Sequence, residues 1–311
     1  MIAYLACPPY LGFNAVFMDV QTKKSRVAAL SVLSNAVLVT LKFIIGTMIG
    51  SVSVISEAIH SSVDLLASCI ALFAVRKSAE AADEEHPFGH GKIENISGTV
   101  EALLIFLAAG WIIYEAAHKL SAPQPIETAG WGVVVMLASA IVNLFVSQRL
   151  FRVGRETDSV ALQADAWHLR TDVYTSAGVM FGLIVILLGQ RAWPGHDLNW
   201  VDPVAAIAVA LLIIKSAYTL TIESGVHLLD VKLPDTEQAW IIAHIISFNP
   251  EVKSYHKLRT RKAGSERFVD VHIRVAGNSS VRESHTLAHK IIDGIKLHLP
   301  GTSVSVHVEP D

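Results

Sequence analysis

Apolar residues in this 311-residue chain are gathered into long runs rather than short alternating stretches. A helix needs about 20 residues to cross a hydrocarbon core. Six runs approach or exceed that length, at about 27–49, 53–75, 96–117, 129–148, 160–189 and 201–222. From Glu223 onward charges and histidines are frequent and no run approaches spanning length. In that last part, Trp240, Ile241, Ile245 and Phe248 have helical spacing after Pro234 and Asp235, predicting a helix over 235–248. Residues 252–261 and 267–275 flank an Ala263, Gly264, Ser265 turn. Val269, Val271, Ile273 and Val275 alternate with Asp270, His272 and Arg274, the period of a half-buried strand. A helix over 284–299 and a strand over 302–308 complete the order αββαβ. The expectation is an all-α bundle of six transmembrane helices (26–222), preceded by an N-terminal tail (1–25). A small cytoplasmic α+β sandwich of the ferredoxin-like, metallochaperone kind follows (223–311), its helices on one sheet face.

Composition agrees with a membrane protein: 52% of residues are hydrophobic and 17% charged, with a mean hydropathy of +0.45. The formal charge of -3 excludes the broad basic field of a nucleic-acid binder. Residues 1–20 lack a secretory signal's basic start and cleavage pattern, and Pro8 and Pro9 interrupt their apolar run. Basic residues then orient the bundle. Lys23, Lys24 and Arg26 precede the first run, Arg76 and Lys77 follow the second, and Arg149, Arg152 and Arg155 follow the fourth. These ends belong in the cytoplasm, and an even helix number leaves both termini there.

Cys7 and Cys69 are the only cysteines and lie far apart, so any metal site uses nitrogen and oxygen ligands. The second run carries His60 and Asp64, and the fifth carries His168 and Asp172, both spaced H-x-x-x-D. Residues four apart share a helix face. Two such helices facing one another bring two imidazoles and two carboxylates together, a set suited to tetrahedral Zn²⁺. Ionisable groups at that depth cost roughly 2.5–3.5 kcal/mol each on insertion, which marks them as functional. Asp165, two helical turns toward the cytoplasm from Asp172 on nearly the same face, is a candidate lining of an access path. Glu57, Glu101 and Asn143 are polar within or near spans, with cavity lining and interhelical bonding both open.

The loop between the second and third runs reads D-E-E-H-P-F-G-H-G-K and offers Asp83, Glu84, Glu85, His86 and His90 within a few residues, with Pro87, Gly89 and Gly91 for tight turns. In the soluble part, alternation places His272 on the polar side of its strand and His307 with Glu309 on the polar side of the last strand. His256 lies in the first strand, and His285 and His289 share a helix face. Convergence of several of these would make a second, water-accessible metal site.

With these residues in view, the chain resembles the cation diffusion facilitator family of metal transporters from about Ser25 to Pro310. The resemblance rests on H-S-S-V-D at 60–64, H-P-F-G-H-G-K at 86–92, H-L-R-T-D at 168–172 and H-K-L-R-T-R at 256–261. It implies that His60, Asp64, His168 and Asp172 form the central transport site. Asp83, His86 and His90 would be a loop site, and His256, His272, His285, His307 and Glu309 a paired site near a dimer interface. Glu309 stands where a well-characterised member has Asp. The resemblance also implies a homodimer and a charge pair of Lys92 with Asp230.

The expected function is therefore transport, not catalysis. Zn²⁺ is both cargo and regulator, exchanged for protons and exported across a bacterial inner membrane in contact with lipid. The H-x-x-x-D pair on both helices favours zinc in the family, with Fe²⁺, Mn²⁺, Co²⁺, Ni²⁺ and Cd²⁺ as alternative substrates. A membrane metal sensor and a membrane metalloenzyme are the rival classes. The second finds no support in an H-E-x-x-H, a nucleophile motif or a cofactor loop.

Overall fold

The structure, a computed structural model, describes residues 11–49, 52–121, 130–192 and 200–311. The chain divides into two compact units at Ile222 and Glu223. The first unit contains helices α1 (Leu11–Ile49), α2 (Val52–Lys77), α3 (Lys92–Ser121), α4 (Gly130–Glu156), α5 (Val160–Ala192) and most of α6 (Val201–Gly225). Helix α1 starts well inside the expected tail. Beyond the Pro8–Pro9 pair only Gly12 weakens the helical preference of 11–25, so the helix runs back to Leu11. Of the expected tail only residues 1–10 fall outside the described set.

The contact of α1 with α2 buries small and polar residues, whereas elsewhere the unit buries Ile105, Leu150, Leu162, Leu169, Ile213 and Leu220. On α1 the buried positions include Lys24, Ala28, Ser31, Asn35 and Lys42, spaced at helical repeats, while Leu33 and Ile44 face outward. The matching face of α2 is Ala67, Ser68, Ala71 and Ala74. Small side chains let helix backbones approach where lipid supplies no hydrophobic drive, and polar ones bond across the contact. The Ser31 and Ser68 hydroxyls, 3.2 Å apart, are one such crossing. Leu66, Phe73, Leu103, Leu107, Trp111, Phe145 and Leu211 form an apolar exterior. Among the described residues three stretches are long and apolar enough by composition to cross a membrane, Asp19–Met48, Lys92–His118 and Pro203–Leu229. Helix α5 contacts α2, α3 and α4, so its residues form the hub of the unit.

The second unit holds a 3-10 turn (Val226–Leu229), α7 (Asp235–Ile246), β1 (Ser254–Ala263), β2 (Glu266–Val275), α8 (Val281–His298) and β3 (Thr302–Pro310), in the expected order αββαβ. The sheet order is β1-β2-β3, antiparallel between β1 and β2 and parallel between β2 and β3. Gly264, at φ +58, turns the hairpin. Helix α8 begins at Val281, ahead of the expected 284. Ser280 accepts from the Glu283 amide while the Glu283 carboxylate takes the Ser280 amide, a reciprocal cap that sets the start. Ile241 and Ile245 of α7 and Leu287, Ile291 and Ile295 of α8 pack on Val269, Val271, Ile273 and Val275. Both helices thus cover one face of the sheet, and the opposite face carries the polar set of the strands.

Candidate metal centres

At the contact of α2 with α5 the Nε2 of His168 lies 3.0 Å from Asp64 Oδ1, with both side chains buried. Asp172, one turn along α5, completes a group whose potential ligand atoms lie within 4.8 Å of one another. The arrangement follows from the four-residue spacing on α5 and the small residues that let α2 approach it. His60 sits one turn before Asp64 on α2, but its side chain, like that of Glu57, lies outside the described set.

Two residues left open above acquire positions here. Asn143 of α4 donates its Nδ2 to Asp172 Oδ2 at 3.4 Å. Glu101 of α3 is fully buried and lies within electrostatic reach of Asp165 and His168. Asp165 accepts from the Ser68 hydroxyl at 3.2 Å. Among the described residues Asp165 Oδ2, Glu101 Oε2, Asn143 Oδ1 and His168 Nδ1 are buried with no hydrogen-bond partner. Buried polar atoms without partners are costly. A cation, a proton or water reaching this group would satisfy them.

In the loop between α2 and α3, Asp83 Oδ1 accepts the His86 amide at 2.6 Å and faces His86 Nδ1 at 3.1 Å. Asp83 Oδ2 lies 3.4 Å from His90 Nε2. Gly89 makes the turn at φ +78. The His86 amide holds the Asp83 carboxyl below its ordinary range. His90 is buried, with Nδ1 facing the Glu80 carbonyl at 3.4 Å. A proton on that Nδ1 leaves Nε2 as the lone pair beside Asp83, the tautomer a metal ligand requires.

In the second unit the strand register stacks His272 against His256 on one side and His307 on the other, and places Glu309 opposite Arg274. Glu309 reaches His272 Nδ1 at 2.8 Å and His256 Nε2 at 3.3 Å. These three offer ligand atoms within 4.8 Å. The hydrogen bond with His272 keeps the Glu309 carboxyl below its usual range. His307 stands at the margin, 3.8 Å from Glu309 with its side chain 63% exposed. His285 is not brought to this group. It packs on His289, ring centroids 4.4 Å apart, on α8 in the helical layer across the sheet. Asp230 pairs with Arg261 of its own unit at 3.3 Å, while Lys92 opens α3 of the other.

Sequence reasoning missed a buried ion pair. Lys24 Nζ meets Glu94 Oε1 at 2.8 Å with side-chain exposures of 3% and 1%. Ser78 and Ser159 also donate to the Glu94 carboxylate, at 3.0 and 2.5 Å. One carboxylate thereby ties α1, the end of α2, α3 and the start of α5. Lys24 reads in sequence as one more flanking charge. Its burial depends on the partner that packing supplies.

Residues 28–229 match the model of the cation efflux transmembrane domain, and residues 233–311 match that of the cation efflux protein cytoplasmic domain. An uncharacterised transporter of Synechocystis sp. is 34% identical over 261 residues, covering 84% of this chain and 82% of that protein. The cation-efflux pump FieF of Klebsiella pneumoniae subsp. pneumoniae is 32% identical over 286 residues, 92% of each chain. Among solved structures, the metal-bound C-terminal domain of the CzcD transporter from Thermotoga maritima is 32% identical, covering 25% of this chain and 94% of that one, with a TM-score of 0.23. Matched along nearly its whole length, the chain belongs to the cation diffusion facilitator family of cation efflux transporters and is not an enzyme.

Proposed function

We propose that the protein exports Zn²⁺ from the cytoplasm in exchange for protons, with Fe²⁺, Mn²⁺, Co²⁺, Ni²⁺ and Cd²⁺ as competing substrates. The buried contact of His168 with Asp64, with Asp172 beside it, carries this reading. His60 would complete four nitrogen and oxygen ligands, the number and kind that zinc takes. All six long helices span the bilayer in this reading, with both termini in the cytoplasm of a bacterial inner membrane. The N-terminal part of α5, with Asp165, is then the cytoplasmic approach to the site.

The coupling follows from ligand chemistry. Metal ligands must be deprotonated, so binding releases protons and protonation expels metal. The His168–Asp64 pair holds a shared proton when no cation is bound. A cation arriving past Asp165 displaces it, and protons from the far side reverse the exchange once the helices have rocked to open there.

The loop residues Asp83, His86 and His90 and the strand residues His256, His272, His307 and Glu309 would hold regulatory metal. His285, which one chain holds in the helical layer, would join the strand site from a second copy in the expected homodimer. The pair of Lys92 with Asp230 that the family resemblance implies would tie the two units.

Metal flux into proteoliposomes under an imposed pH gradient tests the proposal, comparing Zn²⁺, Co²⁺, Cd²⁺, Mn²⁺ and Fe²⁺ for the intact protein and Asp172→Ala. Gradient-driven, zinc-preferring flux lost in the variant is the expected result. Flux preferring manganese or iron overturns the substrate, and no flux for any ion overturns transport itself in favour of a metal sensor.

A further inference from the structure

Helices α4 and α5 enclose a pocket of about 430 Å³ that the transport reading does not use. Arg152, Arg155 and Arg170 line it together with Phe151, Trp167 and Tyr174. Phe151 and Trp167 meet edge to face with centroids 5.2 Å apart. The guanidinium groups of Arg155 and Arg170 flank the Phe151 ring at 5.5 and 5.7 Å. The cations are therefore held over a rigid aromatic wall.

Three arginines repel a divalent cation, so this pocket is no branch of the metal path. Among the described residues no carboxylate pairs with any of the three. Arg152 and Arg155 lie in the last turn and a half of α4, where positive charge is ordinary. Arg170 is different. It lies two residues from Asp172, about 3 Å along the helix axis, and so near the depth of the central site. Two residues also turn it roughly 200° around α5, away from the acidic face. The Arg170 Nε donates to the Ser147 hydroxyl at 3.1 Å, a neutral partner. A charge at that depth ordinarily pairs with an opposite one, and none is paired with it among the described residues.

We propose that the pocket binds the phosphodiester headgroup of an anionic membrane lipid, Arg152, Arg155 and Arg170 holding its oxygens and Trp167 and Tyr174 lying along the glycerol and upper acyl chains. Guanidinium matches phosphate geometry, and basic clefts between helices at the cytoplasmic face take such headgroups. The assignment to lipid rather than free phosphate rests on the membrane orientation proposed above, which sets Arg152 and Arg155 at the cytoplasmic interface and Arg170 deeper, toward the central site.

The test measures melting temperature and retained lipid, by native mass spectrometry, for the full-length protein in detergent. The probes are dioleoyl phosphatidylglycerol, dioleoyl phosphatidylcholine and inorganic phosphate. We expect phosphatidylglycerol to raise the melting temperature and be retained at least about tenfold over phosphatidylcholine. The preference should fall with Arg152→Gln plus Arg155→Gln and vanish when Arg170→Gln is added. Should the triple variant fold poorly, the double variant and Arg170→Lys, which keeps charge but loses the planar fork, read the same preference. Equal retention of the two lipids, or a preference unchanged by the substitutions, overturns the site. Stabilisation by inorganic phosphate equal to that by phosphatidylglycerol overturns the lipid assignment. Zinc flux in phosphatidylcholine vesicles reports on the transport reading separately: loss of flux with lipid preference intact strikes that reading and leaves this one standing.

Discussion

Asp64, His168 and Asp172 are ordinary ligand types that a helix contact gathers, the first two buried and Asp172 half-buried. Asn143 bears on this from a third helix. Its amide fixes Asp172 Oδ2, and supporting groups of this kind tune affinity without supplying a ligand. Asn143→Ala should raise the metal concentration for half-maximal flux by about 10- to 100-fold, with flux still saturable. A flux curve over metal concentration checks this. In the second unit Arg267 grips Glu237 with two bonds of 2.9 Å, and this holds the Glu237 carboxyl below its ordinary 4.5. A lowered carboxylate contributes its full stability above the unfolded value and loses it as pH falls through the folded one. The contribution is about 0.5–1 kcal/mol because water reaches the pair. Glu237→Gln should lose that amount near neutrality and show a shallower decline below about pH 4.5, read from hydrogen exchange of β2 amides in the full-length protein.

At the level of elements, the hydrophobic runs place all six long helices and the period-two alternation places β2 and β3. Polar signals set the ends: the Ser280 cap moves the start of α8, and the lack of a breaker after Gly12 carries α1 into the expected tail. Packing between elements sets harder limits. A β-carbon on Gly294 of α8 would overlap the His244 ring of α7, which is stacked on Trp240 and bonded near the Ile291 carbonyl. The ring has little room to turn. Gly294→Ala should destabilise the second unit by about 1–3 kcal/mol through overpacking, despite the better helix propensity of alanine. A thermal melt followed at Trp240 should show it, and an unchanged melt would mean that the two helices separate easily.

For the molecule as a whole, the strand-borne site would link metal to assembly in the proposed dimer. Glu309 is the group to which His256 and His272 both turn. Glu309→Ala, made on an Asp172→Ala background that silences the central site, should weaken zinc binding at this site by at least about tenfold. It should also remove any zinc dependence of the dimer fraction. Calorimetry and light scattering at matched zinc concentrations measure the two effects.

The presence and order of the helices, strand alternation, the H-x-x-x-D pairs and the loop cluster are legible along the chain because each is set by local periodicity or by residues a few positions apart. The separation of His285 from the strand histidines is not, because it depends on which sheet face α8 covers. Nor is the pairing of Lys24 with Glu94, or the role of Asn143 and Glu101 beside the central group, since each needs the rotation of one helix against another. The sequence by itself determined the elements, the membrane character and the candidate ligands. The tertiary structure decided which ligands meet and which charges are buried with partners, because those outcomes depend on side-chain packing between segments far apart in the chain.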